Sequence, residues 1–153
     1  MSQKVYLDAN VLIAHQVNNH EYHQQAVKLL DDLWKKGSNL LISSLTVDEF
    51  FYGVVFILRS LPPSRKSHPF STYAHLLRKS LSAILTWEGV ELVEFQNNSA
   101  ELLQTVTLME KYNLRPRDAF HLRIMQQQET NSFVTFDQDF NDLGKVEKIN
   151  ILS

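Results

Sequence analysis

Val5-Tyr6-Leu7-Asp8-Ala9-Asn10-Val11-Leu12-Ile13, near the start of the chain, governs how the rest is read. Val5, Tyr6 and Leu7 favour a strand, because branched and aromatic side chains pack well on a pleated surface. Asp8 then separates two apolar segments, a costly place for an ionised group unless it is paired or bound to a cation. Two readings fit this stretch equally. Asp8 closes a central strand and serves a metal site at the carboxyl edge of an open α/β sheet, or it caps the helix that follows.

Outward from Asp8, the spacing predicts a short helix over 9–14, a polar turn over 15–20 and an amphipathic helix over 21–36. Gly37 is placed to stop that helix. Leu40 to Ser43 reads as a second strand, and Thr46-Val47-Asp48-Glu49 opens a helix to about Arg59 that Pro62 and Pro63 end. Ser64 to Pro69 is the expected tip of a helix hairpin whose loop spans about 60–72, and residues 71–87 form its second arm. Val90 to Phe95 is a third strand. Asn98 or Ser99 caps a helix through Lys111, and Asn113 suits a left-handed end to it. A further helix runs from Asp118 to about Gln128, a fourth strand covers 132–136, and residues 147–152 supply a fifth strand at an edge. Short strands alternating with helices predict an α/β fold, a three-layer arrangement of four to five parallel strands between helices, within one domain over 1–153.

Composition narrows the function classes. The 153 residues contain no cysteine, which excludes disulfides, thiolate metal sites and cysteine nucleophiles. The net charge of −2 gives no bulk positive field for nucleic acid, so a polyanion must be held by local basic groups or by metal. No signal-peptide pattern opens the chain. The longest apolar run, Phe50 to Leu58, is broken by Gly53 and falls far short of the ~20 residues of a membrane span. A cytoplasmic protein with no membrane partner is expected.

Three more acids share the placement of Asp8. Asp137 ends a strand, Asp118 opens a helix, and Glu49 is expected in the first turn of one. Parallel strands with right-handed crossovers bring strand carboxyl ends and the following helix amino ends to one edge. Each acid singly has a plain alternative: Thr46-x-x-Glu49 matches a capping box, Asp118 fits an N-cap and Asp137 a turn. Together they converge on one crevice. Two like charges ~4 Å apart cost roughly 4 kcal/mol at an effective dielectric of 20, so the group must protonate in part or bind cations. Oxygen donors alone suit Mg²⁺ or Mn²⁺, and such a crevice is fit for phosphodiester hydrolysis.

Four pieces in register carry a resemblance. Val5-Tyr6-Leu7-Asp8-Ala9-Asn10, Ser44-Leu45-Thr46-Val47-Asp48-Glu49, Arg117-Asp118-Ala119-Phe120-His121-Leu122 and Val134-Thr135-Phe136-Asp137-Gln138-Asp139-Phe140 resemble the motifs of PIN-domain ribonucleases, in particular the VapC-like toxins of toxin–antitoxin pairs. The resemblance implies a PIN-like fold and a metal-dependent endoribonuclease with RNA as substrate, a cognate antitoxin as partner and a homodimer as assembly. It implies that Asp8, Glu49, Asp118 and Asp137 surround one or two Mg²⁺ or Mn²⁺ ions. Thr135 would steady the site or its water, Asn10 matches the small polar residue after the first acid, and Asp139 is an alternative fourth acid. Arg123 stands where the family often has a small residue. A housekeeping PIN nuclease and a non-catalytic PIN-fold binding module are the alternatives. A haloacid-dehalogenase-type phosphatase would need an Asp at position 10, and a response-regulator receiver a second acid near the first strand and an Asp after Phe95; both are excluded.

Other residues divide between function and packing. His15, His20 and His23 offer no spacing that puts all three on one face, so solvated histidines are expected there in place of zinc ligands. His121, one turn after Asp118, is expected to support or pack, not to act as a general base. Arg115 and Arg117 either contact substrate phosphates or balance the carboxylates, and the sequence does not separate these. Arg65, Lys66 and His68 read as a solvated loop. Phe50, Phe51, Val54, Val55 and Leu58 form a mostly buried stripe, any exposed excess being a dimer or antitoxin surface.

Overall fold

The computed structural model describes residues 2–62, 68–146 and 149–153. In chain order the elements are β1 (Lys4–Leu7), α1 (Ala9–Gln16), α2 (His23–Lys35), β2 (Asn39–Ser43) and α3 (Ser44–Ser60). A 3-10 turn at Phe70–Tyr73 leads into α4 (Ala74–Leu85), followed by β3 (Val90–Val93), α5 (Ser99–Tyr112) and α6 (Pro116–Gln127). β4 (Ser132–Val134), a 3-10 turn at Gln138–Phe140, α7 (Asn141–Val146) and β5 (Asn150–Leu152) complete the fold.

The five strands form one parallel sheet in the order β3-β2-β1-β4-β5. Both faces are covered, as parallel sheets require. Val5, Leu7, Leu40, Ile42 and Val134 pack with buried residues of α1 to α4, including Leu12, Leu30, Phe50 and Ile84. Tyr6, Leu41, Val93 and Phe133 face the other way, onto Leu108, Leu122, Met125, Phe140 and Leu143. Alternation along β1 therefore feeds two cores, and burial of a side chain such as Leu7 stabilises by about 1.5–3 kcal/mol. The chain moves from β1 to β2 on one side, then crosses back to β4 on the other. That reversal leaves a crevice at the carboxyl ends of β1 and β4, where α/β sheets place ligands.

Local chemistry sets the boundaries. Asn98 accepts the Glu101 amide at 3.0 Å and caps α5, and Asn113 ends that helix in the left-handed region at φ 53°. Pro116 occupies the first turn of α6, where its missing N–H costs nothing. Gly37, at φ 65°, follows α2.

Several boundaries differ from the expectations. The capping box is not Thr46-x-x-Glu49: Ser43 caps α3, its hydroxyl accepting the Thr46 amide while the Thr46 side chain answers the Ser43 amide. The helix starts two residues earlier than expected, so Glu49 lies in its second turn. α6 begins at Pro116, which puts Asp118 inside the first turn and not at the cap. α2 starts at His23, and α4 ends at Leu85. β4 stops at Val134, although the Thr135 amide still bonds the Leu152 carbonyl at 3.1 Å. The histidines are not simply solvated: His15 packs edge-on against Trp87 at 4.8 Å, and the His23 Nδ1 is 2.8 Å from the Ala14 carbonyl. Arg65 and Lys66, the centre of the expected hairpin tip, lie outside the described residues, as does Glu147 of the expected fifth strand. Among the described residues no helix is long and apolar enough to cross a membrane.

Candidate metal centre

Asp8 follows β1 directly and is only 7% exposed. Its amide bonds the Val134 carbonyl at 3.0 Å, tying the end of β1 to β4. Asp8 stands at the N-cap of α1, yet its carboxylate makes no capping bond. Its Oδ2 instead accepts the Thr135 hydroxyl at 2.6 Å and the Asn10 amide at 2.8 Å. Asn10 also donates to Thr135 Oγ1 at 3.0 Å and accepts the Phe136 amide at 3.2 Å, so the two residues that brace the carboxylate are themselves linked. Burial pushes the Asp8 carboxyl above its ordinary value; His121 and the Thr135 bond act in the opposite direction, and nearby Glu49 adds to the rise.

Glu49 comes from α3 and His121 from α6. Carboxylate oxygens of Asp8 and Glu49 and a ring nitrogen of His121 all lie within 4.8 Å of one another. Asp118 and Asp137 line the same cleft of about 220 Å³, together with Asn10, Ile13, Tyr52, Arg117 and Phe140. Asp118 is also raised, first by desolvation and then by the charges of Asp137 and Asp8, while Arg115 and His121 oppose the rise. Asp137 has a second task, accepting the Asp139 amide at 2.9 Å as the cap of the 3-10 turn. All four acids singled out from the sequence thus reach one cleft.

The remaining candidates lie around its rim. Asp139 pairs with Arg115 at 2.8 Å and lines a larger neighbouring groove that also touches Asp118. Arg117 lies 3.7 Å from Asp48 and 3.7 Å from Glu49. In this arrangement both arginines balance carboxylates, and both remain more than half exposed. Arg123 turns away from the cleft to bond Glu101 of α5 at 2.5 Å and Gln126 at 2.9 Å.

Two residues carry more weight here than their sequence context conveyed. His121 is buried and its Nε2 is 2.7 Å from Glu49 Oε2. Its Nδ1 is 2.8 Å from the hydroxyl of Tyr6, a residue legible only as a strand former. The signal for Tyr6 was its polar end: a hydroxyl in a buried strand needs a partner.

The residues present fit a hard divalent cation. A desolvated carboxylate with three acidic neighbours is short of positive charge, and its donor set is mainly oxygen. Fold and site together define an α/β protein with an acid-lined cleft at the switch point of a parallel sheet. A PIN domain family model matches residues 5–146, and the chain belongs to that family. It is 24% identical over 149 residues to Ribonuclease VapC2 of Methanocaldococcus jannaschii, across 97% of this chain and 94% of that relative. Solved structures that share the fold include three from bacteria. VapC20 of Mycobacterium tuberculosis, a sarcin-ricin loop cleaving toxin, superposes with a TM-score of 0.63 at 14% identity, covering 92% of this chain and 95% of its own. VapBC2 of Rickettsia felis, bound to a DNA fragment from its promoter, gives 0.62 at 16% identity, with 98% of each chain covered. FitAcB of Neisseria gonorrhoeae gives 0.61 at 18% identity, covering 97% of this chain and 96% of that one.

Proposed function

We propose that this protein is a metal-dependent endoribonuclease that hydrolyses RNA phosphodiester bonds as the toxin of a toxin–antitoxin pair. The observation that carries the reading is the meeting of Asp8, Glu49, Asp118 and Asp137 in one cleft of a PIN domain. The likeness to a VapC ribonuclease along nearly the whole chain supports RNA as substrate. A fold shared with toxin–antitoxin complexes supports an antitoxin partner. The stripe of Phe50, Phe51, Val54, Val55 and Leu58 is buried or half-buried and leaves no exposed excess, but Tyr52 and Phe56 beside it on α3, 69% and 66% exposed, are apolar surface of the kind a partner protein or second copy covers. Homodimerisation, a single domain over 1–153 and a cytoplasmic location belong to the same reading.

Asp8, Glu49, Asp118 and Asp137 would hold Mg²⁺ or Mn²⁺, and such an ion supplies activation of water and stabilisation of charge on the phosphate. The chain supplies the rest. Thr135 and Asn10 fix the Asp8 carboxylate, and His121 fixes that of Glu49. Arg117, and Arg115 beside it, present guanidinium groups to phosphates approaching the rim. Water attacks phosphorus and gives up a proton, the bond to the departing ribose oxygen breaks, and that oxygen takes up a proton in its place.

The test compares wild type with Asp8→Asn/Asp118→Asn on RNA, in Mg²⁺ or Mn²⁺ and in chelator. Cleavage should require metal and vanish in the double variant; equal cleavage in the variant or in chelator would sink the mechanism. Growth arrest on induction, relieved by the same substitutions, would mark a toxin and not a housekeeping nuclease.

A further inference from the structure

A buried chain of polar contacts runs from the sheet to the cleft. Thr46 Oγ1 is 3.2 Å and Ser43 Oγ 2.7 Å from the Tyr6 hydroxyl, which is 2.8 Å from His121 Nδ1. His121 Nε2 then meets Glu49 Oε2 at 2.7 Å. Tyr6, Ser43, Thr46 and His121 are each no more than 2% exposed. A carboxylate only accepts, so Nε2 carries the proton of that bond. Nδ1 is left to the Tyr6 hydroxyl, which can donate to it while the Ser43 hydroxyl donates to the Tyr6 oxygen. Stacking of Tyr6 on Phe133, 5.7 Å between ring centres, holds the phenol in place. Glu49 has several rotatable bonds, and in the second turn of α3 its carboxylate meets His121 and Arg117, both from α6.

We propose that Tyr6 and His121 are positioning residues that hold the Glu49 carboxylate in the geometry the cation requires. The proposal rests on the metal-site reading of the cleft. A partner one step behind a ligand, as His121 is behind Glu49, typically accounts for ~10–100-fold in metal affinity, and Tyr6, one step further back, is set at the lower end of that range. Removal of the Tyr6 hydroxyl should therefore weaken Mn²⁺ binding about tenfold, although Tyr6 touches neither metal nor RNA.

The experiment titrates Mn²⁺ into wild type, Tyr6→Phe, His121→Leu and His121→Gln by calorimetry and by the loss of the free-ion spin-resonance signal. Thermal melts in chelator monitor folding. Tyr6→Phe and His121→Leu should bind Mn²⁺ at least ~10-fold more weakly, while the RNA KM at saturating Mn²⁺ stays within about threefold. His121→Gln, whose amide can donate to Glu49 from nearly the same place, should recover most of the affinity. Wild-type affinity in folded Tyr6→Phe and His121→Leu would overturn the proposal. So would equal losses in His121→Leu and His121→Gln, because the donor would then not matter. If Tyr6→Phe fails to fold, the two His121 variants decide between these outcomes. Wild type that binds no Mn²⁺ would instead refute the metal reading of the cleft, and the positioning role would fall with it.

Discussion

Asp8 is held where a carboxylate is costly, and the cost has a measurable sign. Burial raises its folded pKa above the unfolded value, so its favourable contribution is full below the unfolded pKa and is lost as pH rises through the folded one. Asp118 shifts in the same direction. In chelator at neutral pH, Asp8→Asn should therefore melt at or above wild type, and the advantage should disappear near pH 4, as paired thermal scans at both pH values will reveal. A lower melting point for Asp8→Asn at neutral pH would contradict this. Arg117 belongs to the same scale. Its pairing with Asp48 and Glu49 leaves it exposed, and Arg117→Gln should reduce the slope of log affinity against log salt by roughly 0.7–1 for RNA. Asp8 was legible because it interrupts an apolar run, and the other three acids because they stand at the same ends of strands and helices. Tyr6 was not, since its role depends on a hydroxyl meeting residues 37 and 115 positions away.

At the scale of elements, alternation and turn residues placed the strands and most helices, while cap chemistry moved their ends. Thr46-x-x-Glu49 has the letters of a capping box, but Ser43 precedes it and already offers the hydroxyl. Thr46 serves as the reciprocal member, and Glu49 is freed from capping for the cleft. β4 is shorter than expected because the amides that follow leave the ladder, that of Phe136 for the Asn10 side chain and that of Asp137 for the Thr135 hydroxyl. The turn before β3 has a stricter requirement. Gly89 sits at φ +74°, and a Cβ there would lie 2.7 Å from the Ser38 carbonyl oxygen. Gly89→Ala should lower unfolding free energy by about 1–3 kcal/mol, measured by urea denaturation, with the Leu40–Gly89 bond of 2.7 Å as the first contact to suffer.

For the molecule as a whole, chain order scatters the site over positions 8 to 137, and only the sheet order gathers it. Parallel topology was readable from alternating strands and helices. The return of the chain to the far side of β1, which puts Asp137 beside Asp8, follows from packing two opposite faces and not from any local signal. Uncompensated acids should make the metal-free protein the less stable form. At an ion concentration 100 times its Kd, Mn²⁺ should add about 2.7 kcal/mol, or roughly 5–10 °C in Tm for a domain of this size. That gain should be absent in Asp8→Asn/Asp118→Asn. The most direct measurement is anomalous diffraction from crystals soaked in Mn²⁺. A manganese peak should lie in the cleft against the Asp8 carboxylate and at least one of Glu49, Asp118 and Asp137, and should vanish in Asp8→Asn. Manganese only on exposed acids outside the cleft, or an unchanged peak in Asp8→Asn, would contradict the account.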